Sequence, residues 1–252
     1  MVAVALVGAV ALSGCIVSQT GSPLIVADQS AELTGNLNSD RNEPHASFWF
    51  EYGTTTGYGA ATAHTAVGVS PGSRPVSDFA DGLLAATTYH YRLCSDSPDD
   101  AVAAGCGSDQ IVRTTTGRVS VHGQGSYFFR QSPESAVSAG ISIRAAADAA
   151  TGGTVEGDAG AWITIQTPNG VLNDSSTGTV ECLRVVGNIA VAEITLSSPI
   201  FGVSSELLAI EDNGSTPGGD RYVELPPGPC PTPSPSLFTT GAHSGDFVVQ
   251  GS

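Results

Sequence analysis

The sequence contains no lysine, and its basic residues are few. All nine are arginines, against 24 acidic residues, so the 252-residue chain carries a formal net charge of −15 at pH 7. The arginines are scattered, and no stretch concentrates positive charge. Nucleic acids and anionic lipid headgroups are bound first through basic patches. The composition therefore argues against nucleic acid as a partner.

Familiar catalytic and cofactor-binding motifs are scarce as well. The sequence has no His-Glu-x-x-His zinc motif, no P-loop and no Rossmann fingerprint, and its five histidines stand singly. One alternative stays open, because the two carboxylates of a glycosidase are set by their separation in space rather than by a motif. We expect a protein that is not an enzyme and that carries no cofactor.

Long apolar runs are absent, and the one short run lies at the N-terminus. Residues 1–12 carry no charge, and the apolar stretch ends by Val17. A membrane-spanning helix needs roughly 20 apolar residues. The length of this run is instead typical of the apolar segment of a signal peptide.

The run closes on Leu12-Ser13-Gly14-Cys15, which resembles the lipobox of bacterial lipoproteins. The resemblance implies that residues 1–14 are removed as a signal peptide and that the thiol of Cys15 carries a diacylglycerol. No Lys or Arg precedes Cys15, although such signals normally begin with positive charge. The alternatives are a secretory signal cut near Ala11 and a buried apolar segment. We expect a lipid anchor on the extracytoplasmic face of the cell membrane, with secretion as the alternative, and a polar tether over residues 15–23.

Short strands separated by turns are predicted between residues 24 and 116. Apolar and polar residues alternate in segments such as 48–52 and 89–93. Alternation places every second side chain of a strand on the same face. Phe48 and Phe50 are therefore expected to face a core, with Trp49 on the opposite face.

Three pieces of this region resemble bacterial fibronectin type III-like domains. They are Phe50-Glu51-Tyr52-Gly53-Thr54-Thr55, Leu83 with Thr87-Thr88-Tyr89-His90-Tyr91-Arg92 behind it, and residues 111–116. The resemblance implies a β-sandwich over residues 24–116, with a tyrosine corner in which the hydroxyl of Tyr89 bonds to backbone a few residues upstream. The sequence departs from the family at Ala85-Ala86, where Pro-Gly is usual, so the turn there is less preorganised.

After a short boundary at residues 114–117, the strand pattern repeats on a longer module. Several of its turn motifs resemble an accessory β-module of secreted actinobacterial proteins, a group that implies no activity. The matching pieces are Gly123-x-Gly125, Val186-Gly187-Asn188-x-Ala190, Asp212-Asn213-Gly214 with Gly219-Asp220 after it, and Gly245 before a final strand. We expect an all-β chain of two immunoglobulin- or fibronectin III-like β-sandwiches in tandem, the second over residues 118–252.

Four cysteines follow Cys15, and an even number in an exported chain predicts disulfides. Three pairings are possible on paper, but the domain boundary separates the cysteines two and two. A zinc site that uses His90 is the competing interpretation, and no Cys-x-x-Cys or His-x-x-x-His spacing supports it. The favoured pairs are Cys94–Cys106 and Cys182–Cys230.

The Gly-rich loop over residues 212–220 is the best local candidate for a metal site. Asp212 and Asp220, together with backbone carbonyls, offer the oxygen ligands that calcium prefers. The same residue types also build ordinary hairpin loops, in which Asp and Asn cap turns and Gly supplies positive φ. The turn is the favoured interpretation, so no metal is expected.

These features together favour a membrane-anchored, extracytoplasmic module that binds or adheres to an envelope protein or a glycan. One alternative is a structural spacer without a specific ligand, and another is a carbohydrate-binding accessory module. Carbohydrate binding would require exposed aromatic side chains. Trp49 is the first side chain to check for exposure, and Trp162 is the second.

Overall fold

The computed structural model describes residues 16–98, 104–132, 134–148, 155–214, 219–239 and 241–251. The chain is all-β, which confirms the class that the alternating pattern predicts. Within the described ranges the helical structure is a single 3-10 turn over Pro235–Phe238, and no helix is long and apolar enough to cross a membrane.

The chain divides into two compact units. The first comprises Glu32–Ala80 and Thr88–Val112 together with the segment that ends at Leu24. The second comprises Ile25–Ala31, Asp81–Thr87 and Arg113–Ser252. Ile25–Ala31 and Asp81–Thr87, two short segments from the first half of the sequence, therefore group with the second unit. The alternating pattern does not predict this grouping.

Nine strands in the first part of the chain form two sheets. They are β1 (Val17–Thr20), β2 (Ser30–Ser39), β3 (Ser47–Gly53), β4 (Ala60–Ala61), β5 (Thr65–Ala66), β6 (Gly72–Asp81), β7 (Thr88–Asp96), β8 (Gly105–Cys106) and β9 (Gln110–Arg113). One sheet has the order β1-β2-β6, and the other has the order β4-β3-β7-β8, with β5 also pairing β3 and β9 pairing β7.

The core of the first unit is built from the alternating residues of β3 and β7. Phe50 and Leu93 are registered partners, and both are fully buried. Tyr91 is also fully buried, and its hydroxyl donates a 2.7 Å hydrogen bond to the Gly21 carbonyl. The tyrosine corner expected at Tyr89 stays a prediction. The hydroxyl-to-backbone bond described here belongs to Tyr91, which lies two residues further along β7 on the same face.

The structure corrects part of the tether expected over residues 15–23. Val17–Thr20 form β1 and pair antiparallel with β2. Ser18 and Thr20 are buried, and the Thr20 hydroxyl accepts a 3.1 Å hydrogen bond from the backbone N–H of Leu93. The polar composition of this segment conceals a strand because its inward side chains are hydroxyls that find partners.

Eight further strands close into an antiparallel barrel. They are β10 (Arg118–Ser132), β11 (Ser135–Asp148), β12 (Glu156–Thr167), β13 (Gly170–Val186), β14 (Ile189–Ile200), β15 (Val203–Glu211), β16 (Asp220–Leu225) and β17 (His243–Gln250). Each strand pairs with the next, and β17 pairs with β10 to close the ring.

This barrel corrects the second β-sandwich expected over residues 118–252. Turn motifs and alternation are common to sandwiches and barrels, so neither feature decides which edges meet. Glycine helps the strands to curve. Gly123 and Gly157 have φ values of 142° and 148°, and a Cβ at either position would lie 2.2 Å from a carbonyl oxygen of the neighbouring strand. Only glycine fits these close approaches.

Apolar side chains fill the barrel interior along most of its length. Alternate residues of each strand point inward, and many are alanines, which suit an interior of limited width. The fully buried members include Val121, Ala190, Ala192, Ile194, Leu208 and Ile210.

A second apolar cluster lies on the outer surface of the barrel. Ile189 and Val191 of β14 pack there against Phe238 of the 3-10 turn. The proline-rich segment over residues 226–234 leads to this turn and forms a loop. Cys182 and Cys230 hold it at disulfide-bonding distance, with Cα atoms 6.5 Å apart.

Candidate functional site

One end of the barrel contains acidic and phenolic side chains at inward positions. On β15, Leu208 and Ile210 face the interior, so Glu206 faces it too. On β16, Tyr222 is buried at an inward position, and Glu224, two residues later on the same face, is exposed at the opening. Leu208 is the registered partner of Glu224, which makes Glu206 and Glu224 diagonal neighbours across two adjacent strands.

These side chains surround a cavity of about 170 Å³. Its walls are mostly apolar and aromatic, and its polar groups come from two carboxylates and two phenols. Eight-stranded barrels leave room either for packed side chains or for one small ligand. This barrel combines a packed interior with an opening at one end. The principal lining residues are Tyr127, Ile141, Ile163, Ile200, Glu206, Tyr222 and Glu224.

Two buried oxygens of the cavity lining have no hydrogen-bond partner among the described residues. They are the hydroxyl of Tyr222 and Oε2 of Glu206. Tyr222 is 0% exposed. An unsatisfied buried polar group costs about 1–3 kcal/mol, so such groups are rare in folded proteins unless something else completes them.

The cavity opposes the ionisation of Glu206 and of its two phenols. Burial raises the pKa of the Glu206 carboxyl, and the neighbouring charge of Glu224 raises it further. Burial is likewise the main cause that raises the pKa values of Tyr222 and Tyr127, with a contribution from the same glutamates. Two carboxyl groups therefore share this end of the barrel, and no arginine belongs to the lining that the structure describes.

An aromatic group supports the phenols from one side. The His243 ring stacks on Tyr127 with centroids 4.1 Å apart and lies 5.3 Å from the Tyr222 ring. Phe247 lies behind Tyr222 at 6.0 Å in an edge-on arrangement. These contacts fix the orientation of the Tyr222 ring, so its hydroxyl is held in place at the cavity.

The two calcium candidates, Asp212 and Asp220, bind backbone N–H groups of their own loop and of β17. The carboxylate of Asp212 accepts from the backbone N–H groups of Gly214 (2.7 Å) and Val249 (3.0 Å). The carboxylate of Asp220 accepts from Asn213 (2.7 Å) and Phe247 (2.8 Å). All four carboxylate oxygens thus accept from backbone N–H groups, two of them within the loop and two on β17. Residues 215–218 lie outside the described residues.

Trp49 and Trp162 lie in opposite environments. Trp49 is 8% exposed and stacks on His64 at 4.0 Å between ring centroids. Trp162 is 40% exposed on the outside of the barrel, over Gly140, its registered partner. Trp49, the first candidate for an exposed aromatic side chain, is therefore covered, and Trp162 presents a face to solvent.

The remaining predicted site residues are cysteines. Cys94 and Cys106 are registered partners on β7 and β8, with Cα atoms 4.0 Å apart and at disulfide-bonding distance, as the predicted pairing requires. These two sulfurs and Glu51 are the one group of three potential metal ligands in the described ranges, and its sulfurs are joined to each other. Cys15 lies outside the described residues.

Sequence reasoning missed the glutamates and tyrosines of the barrel opening. A signal was present, because Glu206 occupies an inward position in the alternation that continues through Leu208 and Ile210. An acid at a core position of a strand pattern is unusual. Comparison with protein families, with curated proteins and with solved structures finds no match to this chain.

Proposed function

We propose that this protein is an exported, lipid-anchored binding protein whose barrel holds a small ligand at its open end. The observation that carries the proposal is the fully buried Tyr222 hydroxyl, which lines the cavity without a partner among the described residues. Small-molecule sites are concave, mostly apolar and equipped with a few fixed polar groups. The cavity has each of these properties.

The lipid anchor rests on the N-terminal sequence. Leu12-Ser13-Gly14-Cys15 supplies the lipobox-like motif, and the two cysteine pairs fit an oxidising compartment. Two or more acyl chains would hold the protein stably, since each buried methylene contributes about 0.8 kcal/mol. An anchored binding protein would keep its ligand at the membrane surface.

We also propose that residues 24–116 form the fibronectin type III-like sandwich that the sequence resemblance implies. The support is the separation of the strands into the sheets β1-β2-β6 and β4-β3-β7-β8, each with alternating buried residues. Hydrogen exchange on the full chain tests the idea. Strands β2, β3 and β7 should open as one cooperative unit, and opening as separate units would count against a shared core.

The binding proposal is tested by a thermal-shift screen of small organic fragments against the purified protein. A matched variant, Ala161→Leu, adds bulk at a small buried wall position of the cavity. We expect hits that stabilise the natural chain and lose their effect on the variant. A screen without a hit, or hits that bind both proteins equally, would leave the structural-spacer alternative in place.

Carbohydrate binding is a second candidate, favoured by Trp162. Beside its exposed ring lies a surface groove of about 360 Å³ that also includes Gln124, Ser126, Ser244 and Asp246. Sugars stack on exposed aromatic faces and hydrogen-bond to such polar groups. Trp162 also lines the cavity, so the groove is assigned by a pair of variants. A pull-down on envelope glycans should lose its signal in Trp162→Ala and keep it in Ala161→Leu if the groove is used, and should be unaffected by Trp162→Ala if it is not.

A further inference from the structure

We propose that the ligand of the barrel opening is an organic cation, a protonated amine carried on a small apolar or aromatic body. The inference rests on the proposed function, because it names the class of ligand for the same cavity. It is carried by the charge of the lining, by the unpartnered oxygens and by the shape of the walls.

The charge of the cavity is of one sign. Glu206 and Glu224 both face it, and the other titratable groups that face Glu206 are the phenols of Tyr127 and Tyr222, with His243 behind them. No arginine is part of the cavity lining that the structure describes, and the sequence has no lysine. An anionic ligand would meet repulsion here, and a cation would offset the charge that the protein leaves uncompensated.

The unpartnered oxygens need a donor of hydrogen bonds. An ionised carboxylate only accepts, and Oε2 of Glu206 has no donor among the described residues. A phenol both donates and accepts. An ammonium group carries up to three N–H donors and can therefore donate to the carboxylates and phenols that line the cavity. Bonds between charged donors and acceptors are about twice as strong as neutral ones.

The walls fit an organic body better than a bare metal ion. Ile141, Ile163 and Ile200 line the cavity beside the aromatic rings, and an apolar cavity of about 150 Å³ is large enough for benzene. Metal ions require several converging ligands. In the described part of the chain, the glutamates of the opening do not join a third acid, histidine or cysteine within ligand distance of one another. The tyrosine rings can in addition attract a cation through their faces.

Three probes of one shape separate charge from size. They are 2-phenylethylamine, 2-phenylethanol and 3-phenylpropanoate, which are cationic, neutral and anionic at pH 7.5. Each is titrated into the full-length protein by calorimetry. We expect the amine to bind at least tenfold more tightly than the alcohol and the carboxylate to bind more weakly still.

Two variants assign the preference to the cavity. Glu206→Gln keeps the shape and removes the charge, and it should weaken amine binding at least tenfold while changing alcohol binding less than twofold. Glu181→Gln removes an exposed carboxylate of the same barrel and serves as the control for net charge. It should change neither affinity. Circular dichroism establishes that both variants are folded.

The outcomes separate this inference from the proposed function. If the alcohol binds as tightly as the amine, and Ala161→Leu abolishes both, the cavity binds small molecules but does not select a cation, and the inference fails alone. If calcium competes with the amine and binds more tightly, a metal site replaces the inference. If no probe and no fragment binds in a way that Ala161→Leu blocks, both proposals fail.

Discussion

Tyr91 and Tyr222 are both fully buried, but their hydroxyl groups differ in hydrogen bonding. Tyr91 donates to the Gly21 carbonyl, and burial raises the pKa of its phenol to about 12. Tyr222 has no such partner among the described residues. The ring of each fills a core, so a change to phenylalanine removes the hydroxyl and little else.

These two residues give a matched prediction. Tyr91→Phe loses the hydrogen bond to the partly buried Gly21 carbonyl, so the free energy of unfolding should fall by about 1 kcal/mol. Tyr222→Phe removes an unsatisfied group and should leave the stability of the ligand-free protein unchanged or increase it by about 1 kcal/mol. Urea unfolding measures both. A loss in Tyr222→Phe as large as that in Tyr91→Phe would show that the Tyr222 hydroxyl has a partner.

Glu206 should make the stability of the barrel depend on pH. Its pKa is raised in the folded protein, so the native state binds the proton more tightly than the unfolded state does. The stabilisation that results is fully present below the pKa of the unfolded chain, about 4.3, and is lost as the pH rises through the folded pKa. Above that point, folding must bury a charge that the site disfavours.

Glu206→Gln should therefore raise the melting temperature at pH 8 and change it little at pH 4, where the natural side chain is already neutral. A rise of a few degrees is expected, since 1 kcal/mol corresponds to roughly 2–4 °C for a chain of this size. Differential scanning calorimetry at the two pH values measures the difference, with Glu181→Gln as the control. A lower melting temperature at pH 8 in Glu206→Gln would mean that the ionised carboxylate is stabilised in the folded state.

At the scale of strands, local patterns predict which segments are extended and which face is buried. In β7 the burial of residues 89–93 follows the alternation that the sequence displays. In β3 Phe48 and Phe50 are buried as expected, but Trp49 on the other face is buried as well. The pattern fails where the inward residues are polar, as in β1, whose buried Ser18 and Thr20 resemble a tether in sequence. At Glu206 the alternation of β15 does assign an inward position, but an acidic side chain is not expected there. The pairing of β10 with β17 cannot be predicted from alternation either, because alternation determines which face of a strand is buried and not which strand it pairs with.

The disulfide between Cys182 and Cys230 gives a prediction for one element, the proline-rich loop. Phe238 at one end of this loop packs on Ile189 and Val191. Cys230 at the other end forms the disulfide with Cys182, 48 residues earlier in the sequence. The variant with serine at both cysteines should lose about 2–4 kcal/mol in urea unfolding, because the unfolded chain gains freedom. The opening of the barrel lies elsewhere, so affinity for a cavity ligand should change less than twofold. A large loss of affinity would indicate that the loop shapes the cavity.

For the whole molecule, export, lipid attachment and disulfide bonding form one hypothesis. Purified from the cell envelope, the protein should begin at Cys15 with the mass of an acylated cysteine, and its four other cysteines should give no free thiol when unfolded without reductant. Cys15→Ala removes the site of acylation and leaves the disulfide cysteines intact. This variant should leave the membrane fraction, and its barrel should melt at the same temperature.

The matched measurement is fractionation of both forms, with and without an inhibitor of lipoprotein signal peptidase. The inhibitor should leave the natural chain uncleaved and should not change processing of Cys15→Ala. If both forms remain with the membrane to the same extent, the attachment comes from something other than the lipid. If the natural chain keeps its initial methionine and four reactive thiols, the cavity acts in a reducing compartment, and its ligand must then be sought among amines of that compartment.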